Sequence, residues 1–144
     1  MNNNPLNLAI KLCTDDMKAV NDCIHENLQS DIAMIPAIGH YIINSGGKRL
    51  RPLLCLLTAK MFGYTGRRQI PLSVVVEFIH TASLLHDDVV DSSDMRRGNP
   101  SANGVWGNQA SVLVGDYLFS RSFQILVQDQ DMGFGNPTLG RTCC

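Results

Sequence analysis

The chain has 144 residues, a length typical of one domain, and 44 % of them are hydrophobic, enough to build a core. Twelve basic against thirteen acidic residues give a formal charge of −1, so no global field draws the protein to nucleic acid or to an anionic membrane, and the charges that matter are local. No run of 18 or more apolar residues occurs, which argues against a helical membrane span and makes a cytoplasmic address the expectation; five cysteines without a secretory signal do not form a disulfide framework.

Residues 1 to 13 begin Asn-rich and are expected to fray. Thr14, with Asp15 and Asp16 behind it, suits the N-cap and acidic first turn of a helix reaching about Leu28. A second helix is expected from Ser30 or Asp31 to Asn44, kinked near Pro36 and ended by Gly46-Gly47. Pro52 fits the first turn of a third helix, apolar from Leu53 to Phe62 and closed by Gly63. A loop with Arg67 and Arg68 leads to Pro71 and a long fourth helix through Asp91. Residues 92 to 107, with Gly98, Pro100 and Gly104, read as a connecting loop, and Asn108 caps a fifth helix ending near Val127. No hairpin signal competes, so the fold class is all-α. Cys13, Cys23 and Cys55 read as single buried or half-buried thiols. From Gln128 to Cys144 the helical period is lost, and this tail is expected to be aberrant and disordered.

The segment His86-Asp87-Asp88-Val89-Val90-Asp91 sets three carboxylates within five residues of an apolar stretch. On a helix, Asp87 and Asp91 share one face at a rise of about 6 Å, with Asp88 about 100° round the axis. Crowded carboxylates repel, and Mg²⁺, which shares its shell with water and phosphate oxygens, relieves that repulsion. The chain offers phosphate-binding cations twice. Gly46-Gly47-Lys48-Arg49-Leu50-Arg51-Pro52 brings three basic side chains to a helix start, and Met95-Arg96-Arg97-Gly98 follows the aspartates. His80 lies seven positions before Asp87, two turns back on the same face, roughly 10 Å along the axis.

Gly46 to Pro52, Phe78-Ile79-His80-Thr81-Ala82, Leu84 to Asp91 and Met95 to Gly98, in this order, resemble the trans-polyprenyl diphosphate synthases over roughly residues 14 to 127. The likeness is greatest to the bacterial octaprenyl type, which makes quinone side chains. The resemblance implies an isoprenoid synthase helical bundle, here truncated to its N-terminal half over residues 1 to 127. It implies condensation of isopentenyl diphosphate with an allylic diphosphate such as farnesyl diphosphate, and a homodimer in the intact family. By resemblance Asp87 and Asp91 ligate Mg²⁺, Asp88 contributes through an ion or water, and Arg96 grips the allylic diphosphate. Lys48, Arg51, His80 and Arg97 hold isopentenyl diphosphate, with help from Arg49. Asp116 matches a family acid but serves equally as a local pairing group. The small Ala82 and Ser83, where a large aromatic would block a growing chain, imply a long product. Family members continue with a second aspartate-rich motif in a further half, so an inactive fragment or non-catalytic binding subunit is the alternative reading. A more distant one is an HD-type metal phosphohydrolase built on His86-Asp87, for which only His25, His40 and His80 remain as further histidine ligands.

Overall fold

The structure, a computed structural model, describes residues 4–45 and 49–128. Among them the order is α1 (Pro5–Leu12), α2 (Thr14–Asn27), α3 (Met34–Asn44), α4 (Leu50–Met61), α5 (Gln69–Val90), a hairpin of β1 (Met95–Arg96) and β2 (Asn99–Pro100), α6 (Ala102–Trp106) and α7 (Asn108–Gln128). The all-α class holds, with one two-residue hairpin added to it.

α5 is the central element because it is apolar on more than one side. Val74, Phe78, Ala82 and Leu85 recur at intervals of four, four and three, and all are fully buried. α7 carries the matching stripe, Val114, Leu118 and Ile125, and packs along α5 more extensively than any other element does. α2 and α4 cover further faces of α5, contributing Ile24, Leu28 and Leu56 to the same core. Burial of each such side chain stabilises the bundle by about 1.5–3 kcal/mol before entropy is counted. The two long helices pass closely at Gly115, where an added Cβ would strike the His86 ring. Cys13 and Cys23 are buried and Cys55 half-buried, all as free thiols. No helix among the described residues is long and apolar enough to cross a membrane.

Three local expectations are corrected. Residues 5–12 form α1 instead of fraying, because Asn4 accepts a hydrogen bond from the Leu6 N–H and Pro5 supplies a preset first turn. α3 starts at Met34, later than expected, so Pro36 falls in its first turn, where a missing N–H costs nothing, and is not placed to kink a helix interior. The segment 92–107 is ordered, not plain loop. Arg97 and Gly98, at φ +52° and +82°, make a two-residue turn that closes the hairpin, and Ser101 caps α6 by accepting from the Gly104 N–H. The expectation for the tail falls outside the described residues, except that Gln128 ends α7.

Replacing Gly115 by alanine should lower stability by about 1–3 kcal/mol in urea unfolding, because His86 must leave its place against Phe119. Adding His86→Ala should recover part of that loss; a neutral Gly115→Ala variant would show that the close passage imposes no constraint.

Candidate active site

The carboxylates at the end of α5 are divided between its two sides. Asp87 and Asp91 are exposed, one turn apart, with the Asp91 N–H bonded to the Asp87 carbonyl. Asp88 turns inward and is 2 % exposed. Its Oδ2 accepts from Arg96 Nε at 2.7 Å and its Oδ1 from Arg96 Nη2 at 2.6 Å, a bidentate pair. Asp88, hydrogen bonding to it and proximity to Asp87 and Asp91 hold the Arg96 guanidinium above its usual range. The expected contribution of Asp88 to an ion cluster therefore competes with a partner already in place. Two hard, exposed oxygen donors on one helix face suit Mg²⁺, which takes one or two carboxylates and leaves its other positions to water and phosphate. No group of three or more His, Cys, Asp or Glu side chains poised for a metal occurs among the described residues.

The ion pair fixes the hairpin to the helix, and several hydrogen bonds finish the attachment. Asn103 Nδ2 donates to the Asp88 and Ser93 carbonyls, Ser101 Oγ to the Ser93 carbonyl at 2.6 Å, and the Ser93 N–H to the Asp88 carbonyl at 2.9 Å. From α3, the Tyr41 hydroxyl donates to the Pro100 carbonyl at 2.8 Å, and its ring meets Trp106 edge-on at 4.9 Å. Held on both sides, the hairpin turn carries Arg97 to the rim of a cavity.

That cavity gathers Arg49, Arg51, Glu77, His80, Thr81 and Arg97, with Ile42, Ile43, Leu50 and Leu84 as apolar wall. Arg51, His80 and Arg97 thus line one cavity. Lys48 lies outside the described residues. Arg49 is half-buried, left-handed at φ +46°, and its Nη1 has no hydrogen-bond partner. Burial pushes its pKa down, and Glu77 pushes it back up. Glu77 is buried, and desolvation raises its pKa despite the opposing pull of Arg49, Arg51 and Arg97. Burial and the charges of Arg51, Arg97 and Arg96 hold His80 below its ordinary range. A pocket with several cations around one buried acid suits an anion.

Glu77 and Tyr41 have no part in the sequence reading. The signal for Glu77 was present: a single acid in Val74-Val75-Val76-Glu77-Phe78-Ile79, one turn before His80, needs a partner. Tyr41 leaves no such mark, since its role depends on a contact 59 residues away. His86 faces away from the exposed aspartates toward α7, with Nε2 3.4 Å from Asp116 Oδ1 and 3.3 Å from the Val112 carbonyl, and His25 packs on His40 at 4.8 Å. Asp116 is thereby a local partner, and the histidines do not gather round Asp87 as an HD-type hydrolase needs. Ala82 is fully buried in the core and Ser83 half-buried, its hydroxyl donating to the His80 carbonyl.

A family profile described as polyprenyl synthetase matches residues 32–138. An octaprenyl diphosphate synthase of Escherichia coli K12 is 51 % identical over 116 residues, which cover 81 % of this chain and 36 % of that protein. A decaprenyl diphosphate synthase structure from Rhodobacter capsulatus superposes with a TM-score of 0.84 at 50 % identity, over 88 % of this chain and 39 % of that one. A polyprenyl synthase from Caulobacter crescentus CB15, complexed with calcium and isoprenyl diphosphate, superposes with a TM-score of 0.82 at 48 % identity, over 86 % and 38 %. The chain thus spans little more than a third of the length of these relatives.

A carboxyl whose folded pKa is raised keeps its proton longer in the folded state than in the unfolded one. Its contribution is fully present below its ordinary pKa of 4.5 and is lost as pH rises toward the raised value. The difference in unfolding free energy between the protein and its Glu77→Gln variant should therefore shift in favour of the variant as pH increases from 4.5 into the neutral range. A pH-independent difference in parallel urea titrations would mean that Glu77 ionises as an ordinary surface carboxylate.

Proposed function

Because the chain belongs to the polyprenyl synthetase family, we propose that it carries the diphosphate-binding half of a trans-prenyltransferase. The reaction joins isopentenyl diphosphate to an allylic diphosphate, farnesyl diphosphate being the expected primer, and builds a long all-trans polyprenyl diphosphate of the octaprenyl type for quinone side chains. The observation that carries this reading is the division of α5: two exposed carboxylates on one side of its last turn, and a cluster of cations around its preceding turns. Residues 1–127 form this half, and the homodimer implied by the family resemblance belongs to the same proposal.

Asp87 and Asp91 would hold Mg²⁺ against the allylic diphosphate. When bound, the metal supplies positive charge that neutralises the departing diphosphate. Arg96 is held by Asp88 through two of its five N–H donors, and the remaining donors grip the same diphosphate without the side chain having to be ordered first. Asp88 is thus the residue that orients Arg96. Arg51, Arg97 and His80, with Arg49, bind isopentenyl diphosphate in the neighbouring cavity, Lys48 joining them by the family resemblance, and Glu77 offsets part of the repulsion among these cations before the anion arrives. Once the allylic C–O bond ionises, the double bond of isopentenyl diphosphate attacks the allylic cation, and loss of one proton completes a five-carbon extension. No protein nucleophile is needed. The small Ala82 and Ser83 are consistent with room for a long product.

The two subsites should separate in calorimetric titrations. Asp87→Ala should weaken Mg²⁺-dependent binding of farnesyl diphosphate by about tenfold or more while leaving isopentenyl diphosphate affinity nearly unchanged, and Arg97→Ala should do the reverse. Loss of both ligands to the same degree in either variant, or farnesyl diphosphate binding indifferent to Mg²⁺, contradicts the reading. Labelled isopentenyl diphosphate added to the same samples reports turnover: long labelled products make the chain a working synthase, and binding without product makes it a binding half.

A further inference from the structure

The pole of the bundle farthest from the aspartates carries large exposed apolar side chains beside an exposed arginine. α4 ends at Met61 and α5 begins at Gln69, so the loop between them stands at the start of α5, about 27 Å along the axis from Asp87. Every residue from Met61 to Arg67 is exposed, Met61 by 81 % and Phe62 by 83 %. Leu54, seven positions before Met61 and so on the same face of α4, is 62 % exposed and extends the apolar patch. Single exposed apolar residues are ordinary, but an adjacent Met-Phe pair at the tip of a loop, with an apolar neighbour behind it, marks an interaction surface. Between Leu54 and Val76 the sequence holds Lys60, Arg67 and Arg68 and no acidic residue. Lys60 is bound by Asp16 from α2 at 2.7 Å, and Arg67 is exposed. The loop also has a defined shape, with Gly63 left-handed at φ +66° and Gly66 pressed against the Tyr64 ring.

We propose that this loop docks the protein on the surface of an anionic lipid bilayer, Met61 and Phe62 entering the interface while Arg67 meets lipid phosphates. Large apolar side chains beside an exposed arginine, with the neighbouring acid Asp16 already paired to Lys60, are the chemistry that binds at such a surface. The purpose of the docking rests on the function proposed above: a long apolar product is poorly soluble in water, and a bilayer held against the protein can receive it.

Cosedimentation with vesicles tests this, using pure phosphatidylcholine and equal parts phosphatidylcholine and phosphatidylglycerol. The protein should sediment with the mixed vesicles, less so as salt rises. The Met61→Ser/Phe62→Ser double variant should lose about tenfold or more of that partitioning, and Arg67→Glu should weaken it on mixed vesicles alone. A Leu113→Ser/Phe123→Ser variant, which removes exposed apolar groups from α7 instead, should partition like the parent. The proposal is overturned if the parent stays in the supernatant, if the α7 variant loses partitioning as fully as the loop variant, or if sedimentation velocity shows the loop variant breaking a dimer, making a second copy the occupant. Diphosphate titrations on the same samples keep the two readings apart: intact diphosphate binding without vesicle binding overturns only the docking.

Discussion

Asp88 turns into the protein at the last turn of α5 and takes Arg96 in a two-point ion pair, and the geometry of the whole site depends on that contact. A carboxylate this buried is costly without a partner, by about 3–5 kcal/mol when a pairing group is removed, so the hairpin bearing Arg96 is tied to α5 by electrostatics and not by an apolar core of its own. The pair has a second consequence. With Asp88 turned inward, only Asp87 and Asp91 remain on the outer side, one turn apart. The same three carboxylates thus provide an exposed acidic face, the proposed metal site, and a support for Arg96.

The attachment of the hairpin reaches beyond α5. Tyr41 and Trp106 connect it to α3, and the residues after Tyr41, Ile42 and Ile43, wall the cavity that Arg97 completes. Arg49 and Arg97 both sit in the left-handed region, at φ +46° and +52°, where a side chain costs roughly 1–2 kcal/mol. Backbone strain of this kind persists only where surroundings over-determine it, and two of the three non-glycine residues so placed among those described fall on cations of one cavity, the third being Ser92 beside the aspartates. The bundle holds these two arginines near Glu77 at the expense of local backbone energy. A pocket made only of cations would repel itself, and the buried acid offsets part of that repulsion.

Much of this was legible because it depends on periodicity. Asp87 and Asp91 four apart, and His80 seven before Asp87, state their common face in any helix, and the apolar spacing of α5 and α7 states which sides meet. Separation of Asp88 from the other two was half legible: a turn of about 100° moves it off their face, but only the tertiary structure supplies Arg96 as its partner. The hairpin was hidden because its turn has arginine where glycine or asparagine announces such a turn. α6 was hidden because five residues are too few to show a helical period, leaving Ser101 as its only sign. α1 shows the reverse case: a strong local cap at Asn4 and Pro5 outweighed an Asn-rich composition that reads as loose.

The central claim is that α5 gives its carboxylates two jobs, and a crystal structure with Mg²⁺, a non-ionising thio analogue of farnesyl diphosphate and isopentenyl diphosphate tests it most directly. The account predicts metal coordinated by Asp87 and Asp91, Asp88 still paired with Arg96, and isopentenyl diphosphate among Arg51, His80 and Arg97. Asp88 swung outward onto the metal, with Arg96 released, would contradict it.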